Sequence, residues 1–266
     1  VKKILIAGAA LAALIGTPAL AADMALKAPP PVTPACEWCG WFIGLNAGWV
    51  GSTNNSITNT FNDPGATNFA LLAAAGMFPS SVSLAESGFL GGAQIGYNWQ
   101  TGNWLAGLEA DFDGVSAKKS TTVAFPGGGG LVPTSYPFNR QLDWLSTIRA
   151  RVGVLASPNF LLFVTGGVAI GEVKTGNAYI CLTCAPPTTT EPSTVNTNTT
   201  TKAGGTIGGG FEWMIAPHWS IKAEYLYANL GRTNSTVTYT DPLVSTMTAS
   251  VRNSYNIARA GVNWHF

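Results

Sequence analysis

The sequence predicts an all-β fold, an eight-stranded antiparallel up-and-down transmembrane β-barrel, and three observations carry that expectation. Large apolar residues alternate with small or polar ones in eight separate segments. The connections between those segments alternate between three or four residues and 20 or more. Only 10% of the chain is charged. Period-two alternation is the signature of a strand with two unlike faces, and about 9–11 residues suffice for a tilted strand to cross a bilayer. Soluble globular chains carry about 25% charged residues, so a conventional cytosolic enzyme is excluded. The 46% hydrophobic content, with 31 Gly and 9 Trp, equally excludes disorder.

The elements follow in order. Residues 1–21 have the three-part layout of a cleaved signal peptide: Lys2 and Lys3, the apolar run Ile4–Ile15, then Ala19-Leu20-Ala21. The run is shorter than the roughly 20 residues of a spanning helix. Loss of Lys2 and Lys3 with the leader leaves 12 basic against 13 acidic groups, so no basic face for nucleic acid is expected. Residues 22–35, with Pro29, Pro30, Pro31 and Pro34, read as an extended proline-rich periplasmic linker. The barrel is expected over 36–266. Its strands are Trp41–Val50, Phe89–Trp99, Trp104–Val115, Leu142–Leu155, Phe160–Gly171, Ala203–Ile215, Trp219–Leu230 and Tyr255–Phe266.

Connection lengths orient these strands. Gln100–Asn103, Ala156–Asn159 and Ala216–His218 are short and belong to the periplasm; the stretches near 51–87, 116–139, 174–202 and 231–252 are expected as long outer loops. Four such loops on one side count against a soluble sandwich. Trp41, Trp99, Trp104, Trp213, Trp219 and Trp264 should form a periplasmic girdle, and Trp49, Phe89 and Trp144 an outer one. The apolar parity must then face lipid, because Arg or Lys there costs about 2–4 kcal/mol at the midplane.

The charged parity faces an interior just wide enough to be filled by side chains, where ions must pair. Glu109, Asp111 and Asp113 share it with Asp143, Arg149, Arg151, Glu212, Lys222, Glu224 and Arg259. Counting from the short turns sets Glu109 against Arg151, Asp111 against Arg149, Glu212 against Lys222 and Glu224 beside Arg259. A slip of two would re-pair these residues without emptying the interior. The network reads as a structural plug, with a narrow ion path as the alternative.

Cys36/Cys39 and Cys181/Cys184 form two CxxC pairs that resemble a four-thiolate zinc site. Topology puts them on opposite sides of the membrane, so each pair is expected to close its own local disulfide in an oxidising compartment. His218 and His265 lie at the periplasmic end without a Ser and carboxylate constellation beside them, and no enzyme is expected. Asp111-Phe112-Asp113-Gly114 lacks the remaining ligands of a calcium loop, and Gly127–Gly130 reads as a flexible loop.

The C-terminal Val262-Asn263-Trp264-His265-Phe266 resembles the terminal signal read by the barrel-assembly machinery, carried by Val262, Trp264 and Phe266. Gly40–Gly48, Gly107–Phe112 and Lys222–Tyr227 resemble the alphaproteobacterial outer-membrane immunogenic protein family, from about residue 40 to the end. That resemblance implies an eight-stranded porin-like barrel of the cell outer membrane, with exposed loops and a role in envelope integrity. Haem is associated with some members; the outer loops here hold no His or Tyr ligand cluster, so no cofactor and no metal are expected. The expected function is a structural envelope barrel presenting surface loops. The alternatives are a small pore for ions or solutes and a surface adhesin or ligand receptor using the apolar Phe69–Phe78 portion. Expected partners are outer-membrane lipid and lipopolysaccharide, the assembly machinery, and a surface ligand at the loops.

Overall fold

Each of the eight alternating segments forms a strand in the computed structural model, which describes residues 36–62, 76, 79–126, 133–181, 194–240 and 244–266. The leader, the linker and nearly all of Phe69–Phe78 lie outside the described residues. The chain divides into two units, Val1–Cys36 and Glu37–Phe266, and the barrel is the second.

The strands are β1 (Gly40–Ser52), β2 (Ser56–Asn62), β3 (Ser81–Ser83), β4 (Ser87–Thr101), β5 (Trp104–Phe125), β6 (Thr134–Ser157), β7 (Phe160–Cys181), β8 (Thr194–Ala216), β9 (Trp219–Thr240) and β10 (Val244–His265). Eight of them, β1-β4-β5-β6-β7-β8-β9-β10, run antiparallel, and β10 pairs back onto β1 to close the ring. Closure leaves no edge among the membrane-level strands, the condition a sheet must meet in lipid. At the periplasmic end two-residue gaps join β4 to β5, β6 to β7 and β8 to β9. Gly102 (φ 59°) and His218 (φ 67°) supply left-handed residues to the β4–β5 and β8–β9 turns, a conformation favoured in two-residue hairpins.

The expected faces are the observed ones. Trp41, Leu45, Phe89, Trp104, Ile148, Val164 and Ile207 are exposed outward, while Phe42, Asn46, Val50, Glu109, Arg149 and Glu212 are buried inward. At Gly96 the missing side chain matters, because a Cβ there would sit 2.3 Å from the Phe42 ring. Phe42 can lie flat across the interior only over a glycine.

The long connections differ from expectation. Most of 116–139, 174–202 and 231–252 is strand, and 51–87 contains β2 and β3. Their Thr, Ser and Asn content reads as loop chemistry, yet Thr is a good strand former, and a strand standing in water on one face has no need of the lipid-type alternation. Bulges between Gly114 and Ala117, between Leu142 and Trp144, and between Arg252 and Ser254 mark where the membrane strands end and these extensions begin. One of them also moves Asp143, expected inside. It is the extra residue on β6, accepts a hydrogen bond from Gln141 Nε2 and holds Lys174 at 2.5 Å.

Above the bulges the ring parts into two sheets. Pairing of β8 with β9 stops at Gly205–Asn229 and that of β4 with β5 at Leu90–Val115, whereas β5-β6-β7-β8 on one side and β9-β10-β2-β3 on the other continue outward. Ile57, Val82, Leu84, Met247, Ala249 and Val251 of one sheet pack against Tyr136 and Phe138 of the other. The extension therefore has its own apolar core, like a small β-sandwich.

Candidate functional site

The interior of the barrel is built in layers. Nearest the periplasm, Trp38, Leu105, Leu155, Leu161, Phe163 and Met214 form an apolar floor. Trp38 comes from the segment ahead of β1, is 1% exposed, and its Nε1 donates to the Pro158 carbonyl at 2.9 Å. Its ring meets His265 edge-on at 5.7 Å. The indole thus stoppers the periplasmic mouth, a role the sequence pattern does not reveal.

Above the floor lies the charge layer, where all eight expected ion-pair residues meet. Arg149 reaches Glu109 (2.6 Å), Asp111 (2.9 Å) and Glu224 (2.8 Å). Arg259 reaches Asp111 (2.7 Å), Asp113 (2.5 Å) and Glu224 (2.8 Å). Lys222 bridges Glu109 (2.6 Å) and Glu224 (3.1 Å). Arg151 takes Glu212 at 2.9 Å, donates twice to Asn98 Oδ1, and lies 4.5 Å from the Phe42 ring centre. Every one of these side chains is at most 2% exposed. Desolvation of that depth is tolerated only because each guanidinium is multiply paired.

Two of the expected pairings are corrected. Glu109 stands opposite Arg149, and Arg151 opposite Gly107, two residues from the expected register. The Arg149–Asp111 contact survives as a diagonal, and Arg151 stays 3.6 Å from Glu109. Glu212 is opposite Lys222 as expected, but the Lys222 ammonium turns to Glu109 and Glu224, leaving Glu212 to Arg151. Arg259 is directly opposite Glu224.

A further constellation was not anticipated. His265 Nε2 lies 3.0 Å from Ser220 Oγ and 3.4 Å from Glu212 Oε1, and Ser220 Oγ donates to that same carboxylate. A catalytic triad needs the acid on one ring nitrogen and the nucleophile on the other, whereas here both share Nε2. All three residues are buried, with Trp38 and Phe42 against the imidazole. The cluster reads as a packed polar brace. His265 shares the inward parity, which is the signal that could have found it.

Over the charge layer comes a second apolar layer, including Val50, Leu90, Leu142, Leu145, Leu226, Leu230 and Ile257. Above that sits a latch. Arg140, 1% exposed, pairs with Glu86 at 3.0 Å and donates to the carbonyls of Asn54 and Arg252 and to Asn253 Oδ1, each at 3.1 Å. It thereby ties the β6 sheet to the β10 sheet. Burial pushes the Glu86 carboxyl above its ordinary value, against the pull of Arg140 and of the Tyr255 hydroxyl. In the window between the ordinary and the raised value the folded state binds a proton the unfolded state lacks, so this group's contribution falls as pH rises through it. Arg140→Ala is expected to loosen the extension by about 3–5 kcal/mol, read as faster proteolysis of the outer hairpins while the membrane band stays folded. Glu86→Gln should remove the corresponding pH slope. Unchanged cleavage in Arg140→Ala refutes the latch.

At the ends, Val262 and Phe266 face outward and Trp264 packs edge-on against Trp219 at 4.9 Å, on the strand that closes the ring. Cys36 and Cys39 are disulfide-bonded. Cys181 ends β7, but its side chain and Cys184 lie outside the described residues.

A family model described as "Outer membrane protein beta-barrel domain" matches residues 7–266. The 31 kDa outer-membrane immunogenic protein of Brucella melitensis biotype 1 is 32% identical over 97% of this chain and 98% of its own length. A 22 kDa outer membrane protein of Rhizobium leguminosarum bv. viciae is 28% identical over 75% of this chain and 67% of its own. Among solved structures, the outer membrane protein OprG from Pseudomonas aeruginosa covers 86% of this chain and 97% of that chain, at 11% identity and a TM-score of 0.43.

Proposed function

The chain belongs to the outer membrane β-barrel family, and from that premise we propose that it is a closed wall element holding rigid hairpins outside the cell, neither pore nor enzyme. It is an outer-membrane protein with a structural role in the envelope. The observation that carries the closed reading is the series of interior layers: apolar floor, ion-paired layer, apolar layer, latch. An ion crossing that series would have to leave water at two apolar levels and displace paired guanidinium groups between them.

Val262, Trp264 and Phe266 suit recognition of the last strand by the assembly machinery. The apolar belt suits lipid, with lipopolysaccharide in the outer leaflet. The sandwich-like extension, with its own core, carries the outer strands beyond the membrane band, where a surface ligand can reach them. Planar-bilayer recording of the refolded mature chain tests the central point: no steady conductance is expected, and steady unitary steps from the wild type, changed in size or ion selectivity by Trp38→Ala or by charge-layer variants, would move the small-pore reading into first place.

A further inference from the structure

Arg232 and Arg252 stand directly opposite each other on β9 and β10, and both are exposed on the outward face. Like charges directly opposite destabilise a sheet, and among the described residues neither has an acidic partner. The register shift between Arg252 and Ser254 lies beside this pair, opposite Gly231 with φ 78°. A bulge of this kind re-aims side chains, and here it flanks two exposed arginines that stand opposite each other in the ladder.

Their height is informative. Arg232 follows Trp219 of the periplasmic girdle by 13 residues, which at about 3.3 Å per residue and about 40° of tilt is about 33 Å. The apolar band of such barrels is about 25 Å tall. The pair therefore sits about 8 Å above the hydrocarbon edge on the outer side, the level of headgroup phosphates. Below it, on the same wall, is a shallow groove of about 890 Å³. Its floor includes Ala47, Ala223, Ala258 and Ala260, and Trp49 and Tyr225 frame it. Small residues in a belt otherwise filled by Trp, Leu and Ile leave room for chains to lie against the backbone.

We propose that β9 and β10 carry a specific site for one phosphorylated glycolipid of the outer leaflet: its phosphate bridges Arg232 and Arg252, and its acyl chains fill the groove beneath. The anion removes the repulsion that the pair otherwise suffers, and two bidentate donors suit phosphate geometry. This inference rests on the barrel standing in the outer membrane with its hairpins outward; it does not depend on the interior being closed.

The mature chain, refolded into phosphatidylcholine vesicles with a minor fraction of diphosphoryl lipid A and extracted in mild detergent, is examined by native mass spectrometry for retained glycolipid. The wild type is expected to keep one diphosphoryl lipid A. The double variant Arg232→Gln, Arg252→Gln should retain at least about tenfold less, and the double lysine variant, with the charge but not the bidentate fork, should fall between the two. Lipid A stripped of phosphate should be held by the wild type no better than diphosphoryl lipid A is held by the glutamine variant. Ala258→Trp, which fills the groove and leaves both arginines, should also lower retention. Equal retention with and without phosphate, or by wild type and glutamine variant, overturns the site. Unchanged retention in Ala258→Trp overturns the acyl groove, and displacement of lipid A by inorganic phosphate alone shows a simple anion site instead. Heat-modifiable gel mobility separates a misfolded variant from a folded one that has lost the lipid.

Discussion

Replacing Arg149 with alanine is expected to destabilise the folded barrel by about 3–5 kcal/mol, the cost of leaving buried charges uncompensated. One guanidinium serves three carboxylates, Glu109, Asp111 and Glu224, drawn from β5 and β9. Its Nε also donates to Thr147 at 2.8 Å. Truncation leaves those acids in a water-poor layer with Lys222, Arg259 and the more distant Arg151, all of which are already engaged. Arg149→Lys should recover part of the loss, because one ammonium cannot reproduce the planar fork across three acceptors. The exposed Lys118 offers a comparison at the same charge, and Lys118→Ala should change little. The measurement is the temperature at which the compact gel form converts to the unfolded one. Equal midpoints for Arg149→Ala and Lys118→Ala would mean that the charge layer does not hold the barrel together.

How much of this was legible beforehand depends on which physical constraint fixed each feature. Strand parity was legible because lipid enforces it: a charged group on the outward face is penalised directly, so Glu109, Arg149 and Glu212 could only point inward. Register was legible where a tight turn joins the two strands. Glu212 stands opposite Lys222 across the two-residue turn between β8 and β9. It was not legible between β5 and β6, whose periplasmic ends belong to different turns and whose own connection is at the far, outer end. There Trp104 pairs with Val154, and β6 overhangs to Ser157.

The outer extension was hidden for a different reason. Outside the bilayer, Thr-Val-Asn-Thr-Asn-Thr-Thr-Thr at 194–201 can be strand or loop with equal ease, since water satisfies a free backbone. What decides it is pairing with β7, residue for residue from Tyr179–Thr194 inward. Glu86 lay inside a stretch read as loop and Arg140 between another such stretch and the next strand, so neither could be counted in a buried pair. Trp38 was hidden because a single aromatic outside any alternating run carries no direction.

The layered interior yields the last expected result: neutralising the charge layer does not by itself open the barrel. A variant with Glu109, Asp111, Arg149 and Arg151 replaced by small neutral residues opens part of one level, leaving Asp113, Glu212, Lys222, Glu224 and Arg259 there, and water entering it still meets Leu142, Leu145, Leu226 and Ile257 above and the Trp38 floor below. A narrow apolar constriction blocks ions by dewetting even when its neighbours are wet. In planar bilayers that variant should remain silent, while adding Trp38→Ala together with Leu142→Ala and Leu226→Ala should produce steady conductance at the cost of further stability. Intermediate combinations rank the levels: silence that ends only when both apolar layers are breached assigns the seal to them and leaves the ions the task of fixing strand positions. Conductance from the charge-layer variant alone would make the guanidinium network the true barrier, and the apolar residues around it no more than ordinary packing.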